Sequence, residues 1–387
     1  MLPLATGSWD HKELEAMHRV IDSGKFTMGE EVEKFEVGFS RFFGTKYCVM
    51  SNSGSSANLL AIAALIHSKR HRISPGDEVI VPAVSWSTTY YPLHQYGLKM
   101  RFVDIDQETL NLNLDELERA ITSSTRMVLA VNLLGNPMQF DRLLSICEQH
   151  DLILMEDNCE SMGASFEGRQ AGTFGLVGTF SSFFSHHIST MEGGMTVTDC
   201  EELYHLMLSL RAHGWTRNLP DVNLVANKSN DSFMESFRFV LPGYNLRPLE
   251  ISGAIGQAQL RKIPAIVEGR RNNANLFKEK FSEINGISIQ REVGESSWFG
   301  FAVVINNGKR RQDLLEILVS SGVEVRPIVA GNFVKNPVID LMEHEVHGQL
   351  ANADHIHDNG FFFGNHHYDI SDALVDISEQ IRNYMER

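Results

Sequence analysis

Cysteine is scarce. The chain of 387 residues has four, Cys48, Cys147, Cys159 and Cys200, and none belongs to a CxxC pair. This scatter argues against a zinc ribbon and a disulfide-stapled secreted fold, and favours the cytoplasm. Positive charge is also in deficit. Lys and Arg number 34 against 49 Asp and Glu, a formal net charge of −15. Such a chain is a poor match to nucleic acid or an anionic membrane, although a local basic pocket can still take a small anion. Long apolar runs are missing. Residues 59–66, among the most apolar stretches, fall far short of a membrane span. The N-terminus, MLPLATGSWDHKELE, has no basic n-region and no long apolar core, so no signal peptide is expected. No repeat or low-complexity tract is visible. The most telling shortage is local: between Lys99 and Lys228 there is no lysine.

What is present suits an enzyme-sized globular protein. Hydrophobic residues make up 43% and charged residues 21%, enough for a sizeable core. Short apolar runs alternate with helical segments through the first two thirds. Strands are expected at 78–86, 98–106, 127–134, 152–156, 178–185 and 195–198. Helices are expected at 56–68, 114–122 and 140–150. Buried strands separated by helices predict a mostly parallel sheet covered on both faces. After about Pro248 the texture becomes more polar. Helices at 252–262, 266–284 and 311–320, with strands at 298–305 and 323–327, predict a smaller α+β unit. The expected division is 20–248 for a large domain and 249–387 for a small one, with residues 1–19 packing on the latter.

Three stretches carry chemistry. Ser53-Gly54-Ser55-Ser56-Ala57-Asn58 opens a helix with small residues. Its free amides and hydroxyls can bind phosphate, and a Ser-rich N-cap is the plainer reading. Glu156-Asp157-Asn158 closes a buried strand at the edge where an open α/β sheet places its ligands. A carboxylate there can pair with a protonated ring nitrogen, or simply satisfy a turn. Thr179 to His187, followed by Met191-Glu192-Gly193-Gly194, delivers serines and a histidine pair to one edge. A loop His pair serves catalysis or structure. No third ligand follows with metal spacing, so no metal is expected.

Together these stretches resemble the pyridoxal-phosphate sugar aminotransferases of fold type I. The resemblance runs in order along nearly the whole chain. It rests on Gly24-Lys25-Phe26-Thr27-Met28-Gly29 with Phe35-Glu36, Asn52-Ser53-Gly54-Ser55, Pro82-Ala83-Val84-Ser85-Trp86, Glu156-Asp157-Asn158, Glu192-Gly193-Gly194 and Gly243-Tyr244-Asn245-Leu246-Arg247. It implies a fold type I homodimer with an active site shared between subunits. It also implies that Gly54, Ser55, Trp86, Asp157, Glu160, Ser181 and Asn245 bind the cofactor, Asn245 from the neighbouring subunit. His213, Arg217 and Arg326 are the implied substrate contacts.

One departure changes the implied activity. The family's aminotransferases carry a lysine six residues before the Glu of Glu-Gly-Gly, and that lysine tethers the cofactor. Here the position holds His186. Histidine cannot form a stable imine with an aldehyde, but it can act as a general base near neutral pH. Within the family, histidine at this place marks the nucleotide-sugar 3-dehydratases. Phe183 to His187 and Arg211 to Asn218 look most like the branch acting on GDP-4-keto-6-deoxy-D-mannose in colitose-type dideoxysugar biosynthesis. The implied cofactor is pyridoxal or pyridoxamine 5'-phosphate, not covalently held and recharged by L-glutamate. The implied catalytic residues are His186 and Asp157. Alternatives at this stage are a sugar aminotransferase, a CDP-4-keto-6-deoxyglucose 3-dehydratase, and a non-catalytic binding protein on the same fold.

Overall fold

The computed structural model describes residues 1–387. The N-terminal half contains α1 (His11–Ser23), α2 (Glu30–Phe43), β1 (Tyr47–Ser51), α3 (Gly54–His67), β2 (Glu78–Pro82), α4 (Ser87–Gln95), β3 (Lys99–Val103), α5 (Leu114–Ala120), β4 (Thr125–Val131), α6 (Phe140–Gln149) and β5 (Ile153–Asp157). The middle contains a hairpin of β6 (Ser165–Phe166) and β7 (Arg169–Gln170), then β8 (Val177–Ser181), β9 (Gly194–Thr198), α7 (Glu201–Leu210), α8 (Ser232–Glu235), α9 (Glu250–Leu260) and α10 (Ile263–Phe281). The remainder contains β10 (Ile287–Ile289), β11 (Gly300–Ile305), α11 (Arg311–Ser320), β12 (Val325–Arg326), β13 (His344–Val346), α12 (Ala351–Asn359), β14 (Gly360–Gly364) and α13 (Ser371–Glu386).

The large sheet has eight strands in the order β1-β9-β8-β5-β4-β2-β3-β13. Only β9 runs against the others. β2 and β8 are buried along their whole length, as continuous apolar strands covered on both faces should be. One face packs through Leu60, Leu65 and Leu206 of α3 and α7. The other packs through Leu117, Phe140 and Leu143 of α5 and α6. The small sheet, β10-β11-β14-β12, is antiparallel and buries Phe301 and Phe363 against Phe277 and Phe281 of α10 and Ile377 of α13. The fold is therefore type I aminotransferase-like.

Boundaries differ from expectation where the chain must turn. The strand expected at 78–86 stops at Pro82, because the next residues lead into α4. The strand expected at 178–185 stops at Ser181. Beyond it the His186 amide bonds Phe183 O at 2.9 Å and the Thr190 amide bonds Ser182 O at 2.9 Å. That reversal lets the chain return as antiparallel β9. β13 and β14 carried no recognised signal. β13 has three residues, and β14 is a Phe run between glycines. Yet β13 completes the large sheet, and β14 is central in the small one.

The N-terminal segment is held at several places along its length. Leu2 pairs in parallel with Val323. Asp10 and Glu13 form a capping box on α1, a device typically worth about 1 kcal/mol. Glu13 is fully buried. It also accepts from Gln259 Nε2 at 2.7 Å and Lys262 Nζ at 2.8 Å, which fastens α1 to α9.

Candidate active site

The site lies at the carboxyl edge of the large sheet. Alternation along β5 separates its last two carboxylates. Glu156 is fully buried and accepts the amides of Gly172 at 2.6 Å and Gly175 at 2.7 Å. It pins a loop. Asp157 turns to the rim, where its Oδ2 accepts from Asn58 Nδ2 at 2.9 Å and Thr89 Oγ1 at 2.8 Å. Its Oδ1 accepts the Cys159 amide at 3.2 Å. Asn58 is in turn fixed by Thr179 Oγ1, which donates to its Oδ1 at 2.6 Å. So α3, α4, β5 and β8 all converge on one carboxylate.

Asp157 is only 6% exposed, and every partner it has is neutral. A buried carboxylate without a cation keeps a strong capacity for one. This is what a protonated ring nitrogen would supply.

Above α3, Ser53 caps the helix by accepting the Ser56 amide at 3.1 Å. The amides of Gly54 and Ser55 head that helix without an intrahelical acceptor. A Cβ on Gly54 would stand 2.6 Å from the Ser181 Cβ, so only glycine admits this approach. Ser181 is placed by its neighbour Phe180, whose ring is buried against Phe39 and Phe43 at 5.2 and 4.6 Å. Burying one such ring contributes about 1.5–3 kcal/mol. Gly54, Ser55 and Ser181 thus share one corner. Ser55 Oγ bonds Thr88 Oγ1 at 2.8 Å, which links that corner to the start of α4. Trp86, at the N-cap of α4, leaves 58% of its surface exposed.

His186 is bound to the same corner. Its Nδ1 lies 3.1 Å from Ser181 Oγ, and its ring rests against Phe299 with centroids 5.2 Å apart. The ring is only partly covered. Even so, desolvation and then the charge of Arg270 pull its pKa down to about 4. His187 points the other way, buried, with Nε2 3.1 Å from Ser297 O. Glu160 accepts the Leu134 amide at 3.1 Å. Burial, aided by repulsion from Asp157, raises its carboxyl pKa to about 7. Backbone strain gathers here: Leu134 and Trp298 sit at φ 52° and 47°, conformations costly for such residues.

The remaining expected residues lie elsewhere. His213 (φ 61°) bonds Tyr244 O through its amide at 2.6 Å. Arg217 stacks on Trp215 and Phe237 at 4.3 and 4.8 Å and donates to Ser236 O at 2.7 Å. Asn245 is exposed and accepts from Arg247 Nε at 3.0 Å. These three belong to the excursion between α7 and α9. Arg326 is exposed on β12, where it bonds only the carbonyl of Val325. Asn58, Thr89 and Thr179 were not foreseen as supports of Asp157. A signal existed for Asn58, a polar residue at the head of an Ala/Leu/Ile helix. Arg270 and Phe299 had none. No group of three or more His, Cys, Asp or Glu is placed to hold a metal, all four cysteines are free, and no helix is long and apolar enough to cross a membrane.

The profile of the DegT/DnrJ/EryC1/StrS aminotransferase family matches residues 8–381. The chain belongs to this family. Among family relatives, it is 57% identical to the GDP-4-keto-6-deoxy-D-mannose 3-dehydratase of Yersinia pseudotuberculosis, over 98% of this chain and 96% of that one. It is 55% identical to the enzyme of the same name from Escherichia coli O55:H7, over 98% and 99%. A solved structure of GDP-4-keto-6-deoxymannose-3-dehydratase with a trapped PLP–glutamate geminal diamine superposes with a TM-score of 0.97 at 54% identity. That match covers 98% of this chain and all of the other.

Proposed function

We propose that this chain is a pyridoxamine-phosphate-dependent dehydratase that removes the C3 hydroxyl of GDP-4-keto-6-deoxy-D-mannose, with L-glutamate as amino donor. The reading belongs to 3,6-dideoxysugar biosynthesis of the colitose type. The observation that carries it is His186, bound to Ser181 at the rim in a stretch of 128 residues without lysine, 100 to 227. The high identity to dehydratases of that name supports the substrate.

The residues fit the cofactor. Asp157 would hold a protonated ring nitrogen. The Gly54 and Ser55 amides with Ser181 would hold the phosphate, and Trp86 offers an exposed indole face for the ring. When bound, the cofactor's ring serves as an electron sink for the carbon that loses a proton. With no lysine tether, these contacts alone retain it.

The proton chemistry follows from the side chains. With its pKa near 4, His186 is neutral at physiological pH and can accept a proton. For Nε2 to accept, Nδ1 must carry the ring hydrogen and donate it to Ser181 Oγ. Ser181 Oγ already accepts the Phe183 amide at 3.3 Å, so its own hydrogen is free for a phosphate oxygen. Glu160, titrating near 7, can hold or release a proton in the same pocket.

The excursion supports a homodimer. Phe233, Phe237 and Phe239 are 83%, 66% and 57% exposed, which marks an interaction surface. In the dimer we propose, His213, Arg217 and Asn245 complete the neighbouring subunit's pocket. The dispersed free thiols accord with a cytoplasmic enzyme.

The test follows 2-oxoglutarate, ammonia and sugar in one reaction. Each turnover should consume one glutamate, release one ammonia and leave a 4-keto-3,6-dideoxy sugar free of nitrogen. An aminated sugar without ammonia would make the chain a transaminase. No turnover at all would favour a binding protein.

A further inference from the structure

The two histidines of the loop share one aromatic neighbour. Phe299 lies 5.2 Å from the ring of His186 and 5.8 Å from that of His187, centroid to centroid. It immediately precedes β11, so the small sheet delivers it to the rim of the large one. Its amide donates to Leu134 O at 2.9 Å. Its carbonyl accepts from Arg270 Nη1 at 3.0 Å.

Arg270 is unusual. It sits on α10 and is 5% exposed. A buried charge normally has a carboxylate partner, but Arg270 has none. Nη1 donates to Trp298 O at 3.3 Å and Asn365 O at 2.9 Å as well as to Phe299 O. Nε is buried without a partner. Burial alone pulls the guanidinium pKa to about 10.

Histidines of two chain segments feel this cation. His186 and His187 come from the loop after β8, and His366 and His367 from the segment after β14. All four are held below the ordinary imidazole value, first by burial and then by Arg270. The other titratable group acting between the loop residues is His186 upon His187. No carboxylate offsets Arg270 at His186.

We infer that Arg270 and Phe299 are positioning residues for His186. Arg270 clamps the backbone that presses the Phe299 ring on the imidazole, and its uncompensated charge opposes a second cation there. His186 is therefore kept neutral, with its ring held in place by Phe299. The inference rests on the reading of His186 as the base in the proposed reaction.

The test is an NMR titration of the full-length, ¹⁵N-histidine-labelled chain, without cofactor or substrate. His186→Asn identifies the resonance. The wild-type midpoint should lie near 4. In Arg270→Gln it should rise by about one pH unit or more, because the like charge is gone. Arg270→Lys should keep the midpoint low while the ring-current shift of His186 weakens, since charge survives and the three-carbonyl clamp does not. Phe299→Leu leaves those carbonyls in place, so it reads the ring contact even if Arg270→Gln does not fold. There the ring-current shift of His186 should vanish and its midpoint should climb. An unchanged midpoint in Arg270→Gln, an equal rise in Arg270→Lys, or an unaltered resonance in Phe299→Leu would overturn the inference. Because no turnover is involved, failure here leaves the dehydratase reading standing. Conversely, shifted midpoints without any sugar dehydration would count against that reading alone.

Discussion

The sheet-edge corner and the excursion between α7 and α9 were both expected to carry site residues, and they are built differently. In the corner, residues bind one another. Asp157 is held by Asn58 and Thr89, and His186 by Ser181. In the excursion, Arg217 bonds Ser236 and stacks on Trp215 and Phe237, all within the same segment, while Phe233 stands 83% exposed. The bonds of the first region all lie within one chain. The second displays apolar surface, and its Arg217 and Asn245 side chains bond only within the segment. If the proposed reading holds, the corner would seat the cofactor and the excursion would act on a neighbouring subunit.

The sharpest way to break the contrast is to change the chemistry of the corner. His186→Lys should convert a base into a tether. Dehydration should fall by about four orders of magnitude, the upper end for loss of acid–base catalysis. Borohydride reduction followed by denaturation and mass analysis should find cofactor on the variant chain and none on wild type. A reduced adduct on any wild-type lysine would remove the argument. Asp157→Asn should cost about 10²–10⁴-fold in turnover, with near-normal circular dichroism. Asn58 and Thr89 would then face an amide, and the pocket would lose the carboxylate assigned to the ring nitrogen. A near-normal rate would mean that another group protonates the ring.

The excursion should respond differently, through assembly. His186→Asn has a dead corner and an intact excursion. Arg217→Ala has the reverse. If the site is shared, mixing and re-equilibrating the two should restore about a quarter of wild-type activity, since half the dimers are mixed and each holds one intact site. If each chain is sufficient alone, mixing restores nothing. Phe237→Asp should independently shift the chain towards monomer in sedimentation.

Much of the corner was legible because its signals are local. A strand must end where a ligand can approach, so Asp157 followed from the apolar run ILME before it. Small residues after β1 pointed to the head of α3. His186 stood out because a single substitution fell inside an ordered motif. What escaped was whatever arrives from far along the chain. Arg270 and Phe299 lie 84 and 113 residues beyond His186. Neither has a local pattern that distinguishes it from ordinary core. β13 was invisible for a related reason. Three residues carry too little periodicity, and their strand character comes from Met100 to Phe102 of β3 beside them. The excursion was legible as a motif, but the exposure of Phe233, Phe237 and Phe239 is a tertiary outcome that no local pattern encodes.

The smallest effect separates two groups inside the corner by the sign of their linkage to folding. Glu160 rises from 4.5 to about 7 on folding. Between those values the folded chain binds more protons than the unfolded one, so this group makes stability fall as pH rises. His186 drops from 6.5 to about 4. Across that window the unfolded chain binds more protons, so this group makes stability rise with pH. The two slopes oppose each other over most of the same range and largely cancel in wild type. Each should reappear when the other is removed. The Tm of Glu160→Gln minus that of wild type should increase from pH 4.5 to 7. The Tm of His186→Asn minus that of wild type should decrease from pH 4 to 6.5. Because both side chains are only partly covered, screening keeps each change to roughly 1–3 °C. Differential scanning calorimetry at closely spaced pH values resolves this. Slopes of the same sign in the two variants would mean that the corner does not drive the two groups apart, and that Glu160 and His186 cannot divide proton holding and proton acceptance between them.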